Sequence, residues 1–150
     1  MKHEILGEIR RDDEDGEASV TYQGRTLRVR IITDDVPHEE TVELATALVK
    51  KLAEIDTAAK TIAARDLTDT YNDGWNEYDE AQEDGSFKTI QNPELTPEDF
   101  AAKLTLRDVN VTGTFFELFY DDEGMFWGHS VIVTSMDGVA FTDTYAELFG

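Results

Sequence analysis

Apolar and polar residues alternate near the start of the chain, and alternation with period two is typical of half-buried strands. It predicts strands over about 3–9, 18–22 and 27–31, with Gln23-Gly24 as a tight turn between the last two. The acidic run 12–16 ends in Gly16 and predicts a turn after the first strand. We therefore expect a three-stranded meander at the N-terminus.

In the middle of the chain, apolar residues recur every three or four positions, which is the spacing of one helical face. They predict a helix from about Glu39, with the stripe Ala45, Leu48, Val49, Leu52, Ile55, Ala59, Ile62 and Ala63. The stripe continues through Leu67, Tyr71, Trp75 and Tyr78. A second helix, or a bent extension of the first, is expected over about 66–80.

The polar segment 82–94 predicts a loop, and Thr96-Pro97 predicts the start of a short helix over about 97–103, with Phe100 pointing inward. Strands follow over 104–111, with a bulge near Asp108, and over 115–120, 125–135 and 139–141. Turns are expected at 121–124 and 137–138.

These elements predict one α+β domain over residues 1–150. Its antiparallel sheet is expected to combine the N-terminal three-stranded meander with four C-terminal strands. One long or bent helix and a short helix are expected to pack against that sheet.

Charge sets this chain apart, because 33 acidic residues against 13 basic ones give a net charge of −20. Such a field repels nucleic acid and anionic membranes and attracts basic proteins. It is equally typical of any protein from an acid-rich proteome. The chain has no cysteine, which excludes disulfides and thiol catalysis. No apolar run is long enough for a membrane span, so we expect a soluble, cytoplasmic protein.

The residues that could carry chemistry form no recognisable catalytic or metal-binding pattern. His3, His38 and His129 lack ligand spacing, and no phosphate-binding loop or nucleophile elbow is present. Asp13, Asp15 and Gly16 match only part of a calcium-binding loop. We therefore predict no catalytic residue, no metal and no cofactor. The arginines Arg10, Arg11, Arg25, Arg28 and Arg30 are expected to form cross-strand ion pairs.

A segment that combines acids with aromatic residues is the strongest candidate for a binding surface. Residues 69–84 hold seven acids and no base, interleaved with Tyr71, Trp75 and Tyr78. Aromatic side chains supply contact energy at interfaces, and clustered acids steer the encounter with a basic partner. The interpretation that competes with this one places the aromatics in the core and the acids in solvent. The candidate binding residues are Trp75, Tyr78, Asp79, Glu80, Asp121, Asp122, Trp127 and His129.

The stretch Phe126-Trp127-Gly128-His129-Ser130, preceded by an acidic turn, resembles the bacterial family known as domain of unknown function 2262. Leu6-Gly7, Trp75 and the segment 95–100 also resemble that pattern, so the resemblance spans nearly the whole chain. The family brings no activity with it. In size and acidity the chain is similar to immunity proteins of bacterial toxin systems.

Together these observations predict an acidic protein-binding module that is not an enzyme. Its specific form would be an immunity-type inhibitor of a basic toxin or nuclease. Two alternatives stay open. One is a small enzyme or ligand-binding domain centred on Trp127 and His129, with His129 as a general base; the other is a housekeeping domain from an acid-rich proteome.

Overall fold

Helices and strands are resolved along most of the chain in the computed structural model, which describes residues 2–12 and 15–150. The strands are β1 (Lys2–His3), β2 (Gly7–Glu8), β3 (Arg10–Asp12), β4 (Asp15–Tyr22), β5 (Arg25–Ile32), β6 (Glu77–Ala81), β7 (Phe87–Gln91), β8 (Thr105–Thr112), β9 (Phe115–Asp121), β10 (Ser130–Ser135) and β11 (Thr144–Phe149). The helices are α1 (His38–Lys50), α2 (Leu52–Thr70) and α3 (Pro97–Ala102). A π-helical turn covers Tyr71–Trp75, and a 3-10 turn covers Gly138–Ala140.

The main sheet has the order β11-β10-β9-β8-β5-β4-β3 within the described residues, and the fold is α+β as predicted. Neighbouring strands are antiparallel except for β5 and β8, which are parallel. A parallel pair needs a long crossover. Here the crossover contains all three helices, so the N-terminal meander and the C-terminal strands join side by side with the helices between them in sequence.

The N-terminal meander is confirmed as β3-β4-β5, although its first strand begins later than predicted. Segment 3–9 was expected to be that strand. Instead β1 and β2 pair with each other across a turn, while Leu6 and Ile9 still reach the core. Of the predicted acidic turn 12–16 and the partial calcium loop, Asp13 and Glu14 lie outside the described residues. Cross-strand ion pairs are confirmed for Arg10 and Arg28, both with Glu17.

The helical region departs from the prediction at its C-terminal end. The apolar stripe is buried from Ala45 to Tyr71, but the helix breaks at Lys51 and ends in the π-helical turn. Gly74 has a φ of 133°, which ends the helical path and which a residue with a Cβ rarely adopts. The helix predicted to reach residue 80 is therefore wrong, since 77–81 form β6. The predicted loop 82–94 is also wrong, because β7 lies in it and pairs with β6.

The C-terminal half has four strands, as predicted, and β8, β9 and β10 overlap the predicted segments. The bulge is confirmed as a register shift between Leu106 and Asp108, and the Thr96 side chain caps α3 by accepting from Asp99 N at 3.1 Å. Residues 125–129 are turns and not strand. Residues 139–141 were predicted as the edge strand, but most of that segment lies in the 3-10 turn, and the edge strand is β11.

Helices α1 and α2 pack on one face of the main sheet, α3 packs on α2, and a buried carboxylate links α2 to the sheet. Asp56 of α2 is 2% exposed and accepts hydrogen bonds from Tyr22 of β4 at 2.7 Å and Tyr120 of β9 at 2.6 Å. Lys60 lies 3.7 Å from the same carboxylate. Burial, together with the hydrogen bond and the charge of Asp56, raises the pKa of both tyrosines, so both stay protonated donors at neutral pH.

The opposite face of the main sheet is partly exposed, although Ile132 and Thr134 on it are buried. One row across it runs Arg28, Asp108, Phe119, Ile132 and Glu147. The next row runs Arg30, Asn110, Glu117, Thr134 and Tyr145. Partial burial, and then the neighbouring charge of Glu147, raise the pKa of the Glu117 carboxyl.

Replacing Asp56 by alanine is expected to lower the free energy of unfolding by about 2–4 kcal/mol. The buried Tyr120 hydroxyl loses its acceptor, which costs about 1–3 kcal/mol, and the part-buried Tyr22 hydroxyl loses a hydrogen bond of about 1 kcal/mol. Chemical denaturation measures the change. The control is Asp69→Ala, at an exposed position of the same helix, which should change stability by less than about 0.5 kcal/mol. Equal losses in the two variants would contradict a structural role for Asp56.

Replacing Glu117 by glutamine is expected to stabilise the fold at pH 7, by less than about 1 kcal/mol because the side chain is only partly buried. The folded pKa of Glu117 lies above the unfolded one, so the folded chain holds the proton more tightly. The contribution of Glu117 to stability is therefore most favourable at low pH and is lost as the pH rises through the folded pKa. Thermal unfolding at pH 4 and pH 7 should show the gain mainly at pH 7. Glu43→Gln, at an exposed site on α1, should show no such difference.

Candidate functional site

The π-helical turn at the end of α2 positions Trp75 and fixes the segment that follows β7. Asn72 exchanges two hydrogen bonds of 2.9 Å with the backbone of Leu95, one through its amide nitrogen and one through its oxygen. The Asn76 side chain, 2% exposed, donates to Asn92 O at 3.0 Å. Asn92 N in turn donates to Asn76 O at 2.7 Å. Two asparagines thus hold residues 92–95 against this turn.

An aromatic cluster joins the turn to the loop between β9 and β10. Phe126 is fully buried and lies edge-on to Tyr71, Trp75 and Phe100, with ring centroids 5.9, 5.3 and 6.0 Å away. Trp75 also contacts Trp127 at 4.8 Å and His129 at 5.6 Å. Edge-to-face contacts of this kind each add about 0.5–1.5 kcal/mol beyond burial. Phe126 therefore anchors the loop and leaves Trp127 at the surface.

The loop itself is held by Asp122, a carboxylate that is 4% exposed. Its two oxygens accept from Gly124 N at 3.0 Å and Phe126 N at 3.3 Å. Burial raises the pKa of Asp122, and these backbone hydrogen bonds offset part of that effect. Asp122 was predicted as a binding residue. Its contacts make it a support for the loop.

Trp127 is held in an unfavourable conformation at the surface. Its φ is 55°, in the left-handed region, and its side chain is 58% exposed. A bulky residue in this region costs on the order of 1–3 kcal/mol, and such strain persists only where the surrounding structure imposes it. Phe141 has the same φ of 55°. The exposed indole adds an apolar surface that folding alone does not require.

A cleft of about 440 Å³ opens beside the two tryptophans. It lies between the π-helical turn, the 92–95 segment and the 122–129 loop, and it is lined by Tyr71, Trp75, Tyr78, Asn92, Pro93, Leu95, Lys103, Glu123, Gly124, Met125 and Trp127. The walls are largely aromatic and apolar, with a few polar groups at the rim. This composition is typical of a binding site for a side chain or a small ligand.

The model of a family described as an uncharacterized protein conserved in bacteria (DUF2262) matches residues 3–143. The chain belongs to this family. No curated protein and no solved structure matches it.

In this DUF2262 chain, the hairpin formed by β6 and β7 lies beside the cleft and carries acidic residues. Strands β6 and β7 are exposed along almost their entire length, and Tyr78, which lines the cleft, is 43% exposed. Asp79 and Glu80 follow it on β6, and Asp79 accepts from the Thr89 hydroxyl at 2.9 Å. All seven acids of segment 69–84 are exposed: Asp69, Asp73, Glu77, Asp79, Glu80, Glu83 and Asp84.

His129 lies on the other side of Trp75 and borders a second cavity of about 250 Å³ with Asp121 and Asp122. The carboxylates of both aspartates accept hydrogen bonds from backbone amides. Asp121 accepts from Glu123 N at 3.4 Å, and Asp122 accepts from the two amides given above. Within the described residues, the His129 ring makes no hydrogen bond to a carboxylate. A base oriented by an acid, the pairing typical of general-base catalysis, is not assembled there.

The structure brings Trp75, Tyr78 and Trp127 together at one cleft. His129 contacts Trp75 but does not line that cleft. Asp79 and Glu80 stand on the adjacent hairpin, and Asp121 lies exposed at the start of the loop. Sequence reasoning missed Phe126 as the anchor, although it opens the motif that carried the family resemblance. It also missed Asn72 and Asn76, because their bonds to residues 92–95 depend on a hairpin that was not predicted.

Among residues 2–12 and 15–150, no group of three or more histidines and acids is arranged to hold a metal ion. Nor does any helix in those ranges have the length and apolar character needed to cross a membrane.

Asp122→Asn is expected to lower the free energy of unfolding by about 1–3 kcal/mol, because the amide nitrogen of asparagine would face a backbone N–H donor. The loop should loosen at the same time, and near-ultraviolet circular dichroism of the Trp75–Trp127 pair should weaken in the folded protein. Asp121→Asn is the matched control at an exposed position. If both variants kept the tryptophan signal, Asp122 would not hold the loop.

Proposed function

We propose that this protein is a binding protein and that its cleft receives a basic segment of a protein partner. The observation that carries the proposal is Trp127, an indole held in a strained backbone conformation, more than half exposed, and in contact with Trp75 at the cleft. Tryptophan is enriched among residues that dominate binding energy. A lysine or arginine side chain placed over either indole would gain a cation–π contact of about 0.5–2 kcal/mol.

Charge around the cleft supports a basic partner. One acid, Glu123, and one base, Lys103, line the cleft and offset each other. The seven exposed acids of segment 69–84 therefore set the sign of the local field. Such a field raises the rate of encounter with a cationic protein and falls with salt. It also disfavours nucleic acid as the ligand.

The partner class that we favour is a basic toxin or nuclease, which this chain would inhibit as an immunity-type protein. The supporting observations are the net charge of −20 and the aromatic cleft beside an acidic hairpin. An inhibitor needs affinity but no chemistry, which fits a His129 ring that forms no hydrogen bond to a carboxylate among residues 2–12 and 15–150. The absence of cysteine is compatible with the reducing cytoplasm, where we propose that it acts.

The test uses a tryptophan-free peptide of about ten residues, rich in lysine and arginine, and follows the intrinsic fluorescence of the protein at 50 and 500 mM NaCl. Binding should weaken at the higher salt. Trp127→Ala should weaken it about 10- to 30-fold at both salt concentrations, because an aromatic contact is not screened. The double variant Asp79→Asn/Glu80→Gln should weaken it mainly at 50 mM.

The matched control is Glu39→Gln/Glu40→Gln, which removes the same charge from an exposed part of α1. If both double variants weakened binding equally, only net charge would matter and the cleft proposal would fail. Full binding by Trp127→Ala would also overturn it.

A further inference from the structure

The hairpin of β6 and β7 is almost uncovered by the rest of the chain. All five residues of β6 are exposed, and on β7 only Ile90 is partly buried. Within residues 2–12 and 15–150, the two strands form a sheet of their own and pair with no other strand. A two-stranded sheet is marginally stable in water and normally gains support from a third strand or a packed layer. This hairpin therefore has room for a third strand.

Hydrogen bonds at both ends nevertheless hold the hairpin in shape. At its base, Asn92 N donates to Asn76 O at 2.7 Å, and the Asn76 side chain donates to Asn92 O at 3.0 Å. Near its tip, Gln82 N donates to Ser86 O at 2.8 Å. The extended backbone of β6 is thus preformed, which lowers the entropic cost of ordering it when a partner strand binds.

The same bonds fix which backbone groups of β6 point away from β7. In an antiparallel ladder, opposite residues that exchange hydrogen bonds alternate with opposite residues that do not. The bonded residues at the base and the tip are Asn76 and Gln82, so along β6 the even-numbered residues bond to β7. The N–H and C=O groups at the free edge therefore belong to Glu77, Asp79 and Ala81. Among residues 2–12 and 15–150, these groups have no hydrogen-bond partner.

Acidic side chains border this free edge on both faces of the hairpin. Glu77 and Asp79 lie on one face, where Asp79 accepts from the Thr89 hydroxyl at 2.9 Å. Glu80 lies on the other face together with Tyr78, because successive side chains of a strand alternate. Strand β6 carries no basic residue. The edge therefore combines unpaired backbone groups with a negative field.

The free edge of β7 has a different character. Its outward backbone groups belong to Phe87, Thr89 and Gln91, none of which is charged. Lys88 is the one charged residue of β7, and lysine is typical of edge strands that are protected against pairing. A cationic segment would therefore be attracted to the edge of β6 and not to that of β7.

We propose that the basic segment of the partner binds as a third strand along the free edge of β6. It exchanges backbone hydrogen bonds with Glu77, Asp79 and Ala81. This inference rests on the proposed function and specifies how the partner is recognised. Addition of a strand to an exposed sheet edge is a recurring mode of peptide recognition, in which main-chain hydrogen bonds supply affinity and alternate side chains supply specificity.

Alternate side chains of the added strand lie on the two faces of the hairpin. On one face they lie beside Glu77 and Asp79, where opposite charges on neighbouring strands attract each other. On the other face they lie beside Tyr78 and Glu80. Tyr78 and Asn92 both line the cleft, so this second face is the one that borders it. The edge and the cleft are therefore parts of one continuous binding surface.

Charge and existing contacts restrict what binds, and where. Two copies of β6 paired with each other would bring carboxylates opposite carboxylates, which destabilises a sheet. The edge strand β11 of the main sheet is less suitable, because its Ala146 N–H already donates to Asp66 at 2.9 Å. Arg65 likewise donates to Thr144 O of β11 at 3.3 Å. The edge of β6 is thus suited to a strand that is both foreign and basic.

The first experiment is amide hydrogen exchange by nuclear magnetic resonance, with the same tryptophan-free lysine and arginine peptide at about ten times its Kd. Exchange at the edge of β6 should slow about 10-fold, because only the free protein exchanges there. The amides concerned are those of Glu77, Asp79 and Ala81. The amides at the free edge of β7 should be unaffected: Phe87, Thr89 and Gln91. Binding without protection of β6, or with protection of β7 alone, would overturn the proposal.

The second experiment compares two substitutions of one edge residue. Asp79→Pro and Asp79→Asn each remove one negative charge, but only proline lacks the outward N–H. The peptide should bind Asp79→Pro at least about 5-fold more weakly than Asp79→Asn at low and at high salt, because a backbone hydrogen bond is lost and salt screens it little. Equal affinities would contradict strand addition. If Asp79→Pro did not fold by circular dichroism, the exchange measurement on the wild type would carry the test.

A peptide of the same sequence with every backbone nitrogen methylated separates this inference from the proposed function. It keeps the charges and the side chains but has no N–H to donate to the edge. It should bind at least about 10-fold more weakly than the unmodified peptide. If it bound equally well and still required Trp127, the cleft would take a basic segment without strand addition, and only this inference would fail. If neither peptide bound, the proposed function would fail as well.

Discussion

The carboxylate of Asp56 is the interaction on which the rest of the structure depends. It lies in the layer between helix and sheet and accepts from tyrosines of β4 and β9, two strands that are separated in the sheet by β5 and β8. A buried carboxylate is stable only where hydrogen bonds replace its water. Helix α2 can therefore bring Asp56 within hydrogen-bond distance of both tyrosines at only one position along its axis and one rotation about it. This is a stronger restraint than the apolar stripe alone, because apolar contacts are not directional.

That restraint also determines where the candidate site forms. From Asp56 the helix runs to the π-helical turn that carries Trp75, and a helix advances a fixed 1.5 Å per residue. From Tyr120, two residues of chain lead to Asp122, which holds the loop that carries Trp127. Both tryptophans are thus positioned relative to the same carboxylate, one through α2 and one through β9. Their contact at 4.8 Å follows from that shared reference point.

The sequence was sufficient to predict elements that depend on a local pattern of residues. The prediction failed where contacts with residues distant in the sequence determine the structure. The meander, the bulge before Asp108 and the capped start of α3 follow from spacing and turn residues within a few positions. Tyr71, Trp75 and Tyr78 continue the helical spacing, yet Tyr78 lies in a strand, because Gly74 ends the helix and β7 supplies a pairing partner. The acids of 69–84 were correctly separated from the core, and Trp75 and Trp127 were among the candidate residues. The role of Asp122 could not be predicted. Its carboxylate accepts hydrogen bonds from backbone amides, and such bonds do not depend on the side chains of the residues that donate them.

The distribution of charge around the cleft differs from that on the sheet face away from the helices. All seven acids of segment 69–84 are exposed, with no base among them, and the proposed basic partner would complement that field. On the sheet face, acids form ion pairs with arginines instead, as Asp108 does with Arg28 at 3.1 Å. Net charge alone is equally compatible with selection for binding and with an acid-rich proteome. A local excess of acids beside exposed aromatic rings is therefore the stronger argument for selection.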